Sequence, residues 1–234
     1  MKNTIENTMI DDHFTTLSNL DNFPPDHIAH LRTLKESGFE PKVIYDIGSC
    51  VLHWVREARK FWPNAHYVLF EAMEEVEPLY QKYMRNGGGD TIQYFVGKVL
   101  SSSSGNRVKF WTNFAAPGGN SYYREKYMNS KFFTSYIEKE TVTLDEVVKY
   151  HNFPLPDLIK IDTQGSERDI LLGGRTVVQA AKRLIVEMQH SDYNEGAPKV
   201  EETLPFIESL GFKCDFPRFA FTEFDADYDF VRNK

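Results

Sequence analysis

The stretch VIYDIGSCVLHW, residues 43–54, decides the fold. Val43 to Ile47 form a short, mostly apolar run of strand-forming residues, and Gly48 ends it. The segment that follows, CVLHWVREARKFW, has the apolar spacing of a helix. A strand that passes through a glycine turn into a helix opens a βαβ unit. Dinucleotide-binding turns of this kind carry two or three glycines, for the tight turn and for the close approach of a pyrophosphate. Here Gly48 stands alone. Two readings are open: a cofactor site that needs no pyrophosphate, or a plain strand end at which Asp46 caps the next helix.

The same rhythm runs on in both directions. HYVLFEA reads as a second strand, EEVEPLYQKYM as a helix closed by Asn86-Gly87-Gly88-Gly89, and TIQYFVG as a third strand. Further on come the apolar DLIKID, the helix SERDILLGG, the strand RLIVEM and the helix VEETLPFIESLG, with GFKCDF and DYDFVR as last strands. Alternation at this spacing predicts an α/β fold with a mostly parallel sheet and helices on both faces. Residues 1–40 read as a polar arm and a capping helix, in which Asp26 caps an apolar face of Ile28, Leu31 and Leu34 and Gly38 ends the helix. Residues 41–234 read as a single domain, interrupted at about 110–140 by an aromatic insert or lid without clean periodicity. Its aromatics, among them Phe114, Tyr122, Tyr127, Phe132 and Phe133, cover core or offer a platform for stacking sugars.

Composition narrows the function class. With 234 residues and 41% hydrophobic content the chain can bury a full core. A net charge of −7 argues against a nucleic-acid partner, whose binding relies on clustered Lys and Arg. The two cysteines, Cys50 and Cys214, stand far apart and support neither a disulfide framework nor a zinc site, so a reducing, cytoplasmic setting is the expectation. No apolar run approaches the roughly 20 residues that span a bilayer, and the first residues lack the apolar core of a signal peptide. The chain is expected to be soluble and unprocessed, a monomer or homodimer.

In doubly wound sheets ligands sit outside the carboxyl ends of the strands. Those ends deliver Asp46 and Gly48, then Glu71, then Gly97 and Lys98, then Asp162, Gln164 and Glu167, and finally Glu187, Gln189 and His190. Glu71, 23 positions after Gly48, stands where a carboxylate can accept both hydroxyls of a ribose. Phosphate is poorly provided for, with neither GxGxxG nor GxxxxGK[ST]. A cofactor with ribose and adenine but no phosphate fits better, and S-adenosylmethionine is that cofactor.

At this point the chain resembles a known family. Asp46-Ile47-Gly48, VLFEA with Glu71 and Ala72, GKVLSSSSG, Gly119-Asn120-Ser121, TVTLDEVV, and above all LIKIDTQGSERDILLGG followed by LIVEMQH are similar to the FkbM methyltransferases, in order from about residue 42 onward. The resemblance implies a class I methyltransferase (Rossmann-like) fold, with seven strands of which the last is antiparallel, and S-adenosylmethionine-dependent O-methylation, often of sugars. It places Asp46, Gly48 and Ser49 on the methionine side of the cofactor, Glu71 and Ala72 at its ribose, and Gly97, Lys98 and Val99 beside its adenine. Asn120, Ser121, Tyr122, Gln164 and Gln189 fall to the acceptor. Leu52 stands where the family usually has a second glycine.

Methyl transfer needs an acceptor oxygen held in line and a group that takes its proton. Asp162 with His190 is the preferred acid-base pair, with Glu187 ending the adjacent strand. An alternative has Asp162 and Glu187 share a divalent cation such as magnesium. The bland readings are a solvated loop histidine at His190, a turn at Gln164-Gly165 with Ser166 capping the next helix, and a Glu187 paired with Lys160. TEFDADYDF reads as a solvated turn whose Asp225 and Asp227 can bond a glycan's hydroxyls. The acceptor expected is a sugar or glycan hydroxyl. The rival functions are a dinucleotide-dependent oxidoreductase, which the missing glycines disfavour, and a non-catalytic cofactor-binding module or scaffold in glycan assembly.

Overall fold

The computed structural model describes residues 12–19, 23–126 and 135–233. Around the stretch at 43–54, β1 (Val43–Ile47) is the strand on which two neighbours pair, both parallel: β2 (His66–Glu71) on one side and β7 (Leu158–Ile161) on the other. Beyond β2 lies β3 (Ile92–Val96), and beyond β7 lies β8 (Arg183–Gln189), again parallel. The chain then makes β9 (Phe212–Phe221) and turns back as β10 (Asp225–Arg232), which inserts between β8 and β9 and runs antiparallel to both. The resulting order is β3-β2-β1-β7-β8-β10-β9, seven strands with the last in the chain antiparallel, as expected.

Both faces are covered, so the central strands are mostly apolar, with Asp46 in β1 and Lys160 in β7 as buried charged exceptions. One face carries α1 (residues 12–18), α2 (Pro25–Glu36), α3 (His53–Phe61) and α4 (Glu77–Tyr83), whose Phe14, Leu31, Val55 and Tyr80 pack on Ile44, Tyr67 and Leu69. The other carries α5 (Leu144–His151), α6 (Glu167–Gly173), α7 (Arg175–Ala180) and α8 (Val200–Ser209), packed on Tyr45, Ile47, Phe70 and Val186. The order of strands diverges between β1 and β7, which is where a doubly wound sheet opens its ligand crevice.

Local details depart from the sequence reading. The helix after β1 begins at His53 rather than at Cys50, because residues 48–52 are taken up by the turn. Asp26 is not a cap: Pro24 holds that position, Pro25 opens α2, and the buried face is His27, His30, Leu31 and Leu34. In the insert, β5 (Arg107–Thr112) and β6 (Ser135–Val142) form an antiparallel pair, and β6 also takes β4 (Val99–Leu100) in parallel. The sequence reading put no strand at β6, since the first four residues of SYIEKETV are all exposed and carry no period-two signal. Tyr127, Phe132 and Phe133 lie outside the described residues. The acidic end is not a solvated turn: the turn is Thr222–Phe224, while Asp227 and Asp229 are buried in β10. They receive His27 at 3.1 Å and His30 at 2.6 Å, which ties α2 to the sheet.

Candidate active site

The turn after β1 has an unusual backbone. Gly48 has φ +82°, and Cys50 (+43°) and Leu52 (+72°) are also left-handed, although neither is a glycine. Left-handed backbone costs a residue with a Cβ about 1–2 kcal/mol. Leu52 therefore keeps the conformation that the family's second glycine would take easily, and it buries its side chain in the core below. Neighbouring groups hold the turn in place. The amides of Gly48 and Ser49 donate to the Phe70 carbonyl at 2.9 and 3.1 Å. Glu71 accepts from the Cys50 amide at 2.9 Å through Oε2 and from the Met73 amide at 2.9 Å through Oε1. Burial pushes the Glu71 carboxyl up from its ordinary range, with those two donors pulling the other way. Each Glu71 oxygen keeps a lone pair for a further donor, which is what two ribose hydroxyls require.

The carboxyl end of β7 carries a buried polar cluster. Lys160 and Asp162, two apart on a strand, share a face. The Lys160 ammonium lies 3.0 Å from Asp162 Oδ2 and 3.7 Å from Asp46 Oδ1. Burial works against its charge, but Asp162 and Asp46 outweigh burial and hold the ammonium firmly protonated. Asp46 is fully buried, and burial pushes its carboxyl up to about 6, against the pull of Lys160. Gln164 spans the next gap: its amide donates to Asp162 Oδ1 at 3.2 Å and to Glu187 Oε2 at 2.7 Å. Burial works against the charge on Asp162 too, yet Lys160 and the bonds from Glu187 and Gln164 hold its carboxyl below the usual range. Glu187 moves the opposite way, pushed well up by burial and then by Asp162, Asp225 and Asp227. The two neighbouring carboxyls are thus driven apart, Asp162 toward its charged form by Lys160 and Glu187 toward its neutral form by burial.

Glu167, the acid of the QG-x-E pattern, folds back on the loop that precedes it, accepting from the amides of Thr163 (2.8 Å) and Gly165 (3.0 Å) and from the Thr163 hydroxyl (3.0 Å). Burial raises it to about 7. Ser166 precedes α6, but its hydroxyl donates to Thr163 Oγ1 instead of capping the helix. Gly165 has φ +105°, and a Cβ there would stand 2.6 Å from the Ala197 side chain.

Two clefts open at these strand ends. The first lies over β1, β2 and β3 and is lined by Gly48, Glu71, Ala72, Lys98, Val99 and Asp162, with Phe95, Leu100 and Ile170 as apolar wall. Asn120, Ser121, Tyr122 and Gln164 line this same cleft. Tyr122 and Tyr123 both donate to Asp169 Oδ2, at 2.6 and 2.7 Å, which pins the insert's loop to α6. Sequence reasoning has Tyr123 only as one of the insert's aromatics, for core or sugar stacking, and misses Asp169. The second cleft lies over β7, β8 and β10 and is lined by Trp54, Lys160, Asp162, Glu187, Asp225 and Asp227. Asp162 is the one carboxylate, among the described residues, that lines both.

Several expected residues stand elsewhere, and others that line the first cleft, Lys98 and Asn120, are engaged in bonds of their own. Asp46, Ser49 and Gly97 lie behind the first cleft. Ser49 Oγ is engaged with Tyr80 at 2.8 Å and the Phe70 carbonyl at 3.2 Å, and the Gly97 amide donates to the Glu71 carbonyl at 3.1 Å. Lys98 pairs with Glu140 at 2.8 Å. Asn120 accepts from the Asn113 amide at 2.7 Å. Gln189 is buried against Asn194, bonded through both ends of its amide. His190 lines neither cleft. Successive β8 side chains alternate between faces, so His190 points away from Glu187, and its Nε2 lies 3.2 Å from the Tyr228 hydroxyl. The expected pairing of His190 with Asp162 therefore has no geometric support. Both Asp162 oxygens and Glu187 Oε2 already accept bonds from Lys160 and Gln164. Among the described residues no three His, Cys, Asp or Glu side chains are grouped to hold a metal.

Comparison with known proteins decides the family. Residues 43–214 match the methyltransferase FkbM domain. The chain belongs to the FkbM methyltransferase-domain family. The hexuronic acid methyltransferase AglP of Haloferax volcanii is 27% identical over 164 residues, 68% of this chain. The match spans 60% of that relative's length. Among solved structures, the O-methyltransferase TomG of Streptomyces achromogenes, in complex with SAM, aligns with a TM-score of 0.54 at 9% identity, over 97% of this FkbM-family chain and 88% of TomG. Magnesium protoporphyrin IX methyltransferase of Synechocystis, with bound SAM, aligns at 0.52 and 11% identity, over 97% of each chain. The N-terminal domain of EvdMO1, in the presence of SAH and D-fucose, aligns at 0.52 and 9% identity, over 89% and 83%. At such identities these structures establish the shared class I methyltransferase fold.

Proposed function

We propose that this protein is an S-adenosylmethionine-dependent O-methyltransferase acting on a sugar hydroxyl of a glycan or glycoconjugate, in the cytoplasm. The observation that carries the reading is that Asp162 lines both clefts. In the first cleft, Glu71 takes the ribose hydroxyls on its two free lone pairs, Ala72 leaves room at the sugar, and Val99 and Leu100 flank the base. S-adenosylmethionine supplies there an electrophilic methyl group on a sulfonium. The acceptor enters through the second cleft, and its hydroxyl donates to the ionised Asp162. As the new C–O bond formed and the methyl group's bond to sulfur broke, leaving S-adenosylhomocysteine, Asp162 would take the hydroxyl proton, with Lys160 and Gln164 keeping the carboxylate aimed. Glu187 holds Gln164 from the far side and so helps to fix the amide that bonds Asp162. No step uses His190 or a metal ion. The hexuronic acid methyltransferase relative supports a sugar as acceptor class.

Two measurements test this reading. Saturating S-adenosylhomocysteine is expected to raise the melting temperature, since a ligand that binds the folded state alone stabilises it. Incubation with the methyl donor and a panel of sugars and glycans is expected to give a methyl mass gain that Asp162→Asn abolishes while the cofactor still binds. No thermal shift sinks the cofactor assignment, and a fully active Asp162→Asn removes Asp162 from the chemistry.

A further inference from the structure

We propose that the second cleft selects an uncharged or amino-bearing sugar and rejects one that carries a carboxylate, in contrast to a hexuronic acid. This rests on the acceptor role given to that cleft above. Five of its lining groups are acids: Asp26, Asp162, Glu187, Asp225 and Asp227. The Lys160 ammonium that faces them is committed to Asp162 at 3.0 Å and Asp46 at 3.7 Å. His27 faces Asp227 at 3.1 Å, and His53 Nε2 is bonded to the Leu17 carbonyl at 2.9 Å. An incoming carboxylate thus meets acids, with no uncommitted cation among the described residues that line the cleft.

A second, independent observation shows what the cleft is built to receive. Trp54 and Asp227 both line it, at 4% and 6% exposure, and each has one polar atom without a partner: the indole Nε1 and the carboxylate Oδ1. A buried donor and a buried acceptor left unpaired are costly unless a ligand supplies both complements. Sugar hydroxyls can both accept from the indole and donate to the carboxylate. A carboxylate can accept from Trp54 but has no proton for Asp227, and it adds like charge. Phe23, Trp54 and Phe221 give the cleft apolar wall against which the C–H face of a sugar packs.

The test measures binding by ligand-observed NMR for methyl glucoside, methyl glucosaminide and methyl glucuronide, with and without saturating S-adenosylhomocysteine. These probes share one ring and differ in charge. The glucoside and glucosaminide are expected to bind at least tenfold tighter than the glucuronide. Asp225→Asn is expected to narrow that gap by about threefold, and Trp54→Phe to weaken all three alike. Equal or tighter binding of the glucuronide overturns the proposal, as does binding of none of the three. Because sugar binding is read without turnover, a protein that takes the sugars in this order but fails to bind S-adenosylhomocysteine counts against the methyltransferase reading alone.

Discussion

Gly48 and Asp162 meet through their backbones: a Cβ on Gly48 would stand 1.9 Å from the Asp162 carbonyl oxygen. The Asp162 amide donates to the Ile47 carbonyl at 3.0 Å, so the ends of β1 and β7 are locked together just where the sheet changes direction. The single glycine of the turn does not leave room for a ligand's phosphate. It leaves room for the neighbouring strand, and so places the Asp162 carboxyl between the two clefts.

Gly48→Ala should accordingly be among the most damaging small substitutions in the chain. The left-handed φ of +82° and the overlap with backbone add together. A loss of about 3 kcal/mol or more is expected, in the range reserved for strain and overpacking. Urea unfolding of the variant checks this, and a stability equal to the parent's would show that the strand ends can separate freely.

Leu52 gives a sharper test, because two effects oppose each other there. Truncating a buried leucine costs about 2–5 kcal/mol through lost burial and a cavity. Glycine is ordinarily worse than alanine by up to about 1 kcal/mol. At φ +72° the order should reverse, since glycine also escapes the left-handed penalty. Leu52→Gly is expected to be more stable than Leu52→Ala by about 1 kcal/mol on that ground. The usual order in paired denaturation curves would mean that the turn relaxes out of the left-handed region.

Glu71 joins turn and cofactor in one side chain. Glu71→Ala leaves the Cys50 and Met73 amides without their acceptor, a loss of about 1–3 kcal/mol for each amide that water does not reach. It also removes both proposed ribose contacts, so S-adenosylhomocysteine affinity should fall by more than tenfold in calorimetry. Glu71→Gln separates the roles: its one carbonyl oxygen retains a single amide bond, so stability should recover in part while affinity stays low. Unchanged affinity in both variants would refute the ribose role.

These contrasts show what a sequence can and cannot convey. The strand-turn-helix at 43–54 and the strand-end acids were legible because period and spacing are local properties. Glu71, Asp162 and Glu187 were found that way. Lys160 reads from the sequence as a partner for Glu187, but the structure commits it to Asp162 and Asp46, because β1 pairs with β7, which no local pattern states. His190 misled because counting along β8 does not say which face is the ligand's; that needs β10, which arrives much later in the chain. Likewise the hydroxyls of Tyr122 and Tyr123 converge on Asp169 from 47 and 46 positions away. At Leu52 the residue type hides a left-handed backbone of the kind that glycine adopts most readily.

The buried Asp46 makes stability depend on pH in a direction that can be worked out. Its carboxyl rises from 3.8 to about 6 on folding, mainly through burial. The folded state therefore holds the proton more tightly than the unfolded chain. Below the unfolded value this group costs nothing, and as pH rises through the window from 3.8 to about 6 the folded state loses stability. Between pH 4 and pH 7 the loss assigned to Asp46 is about 2 kcal/mol. Asp46→Asn cannot titrate, so that slope should vanish from its stability curve. The substitution should be less damaging at pH 7 than at pH 4 by about the same 2 kcal/mol. Urea unfolding of both proteins at the two pH values gives the comparison, and a difference that stays constant with pH would show that Asp46 is ionised throughout, with its charge fully met by Lys160.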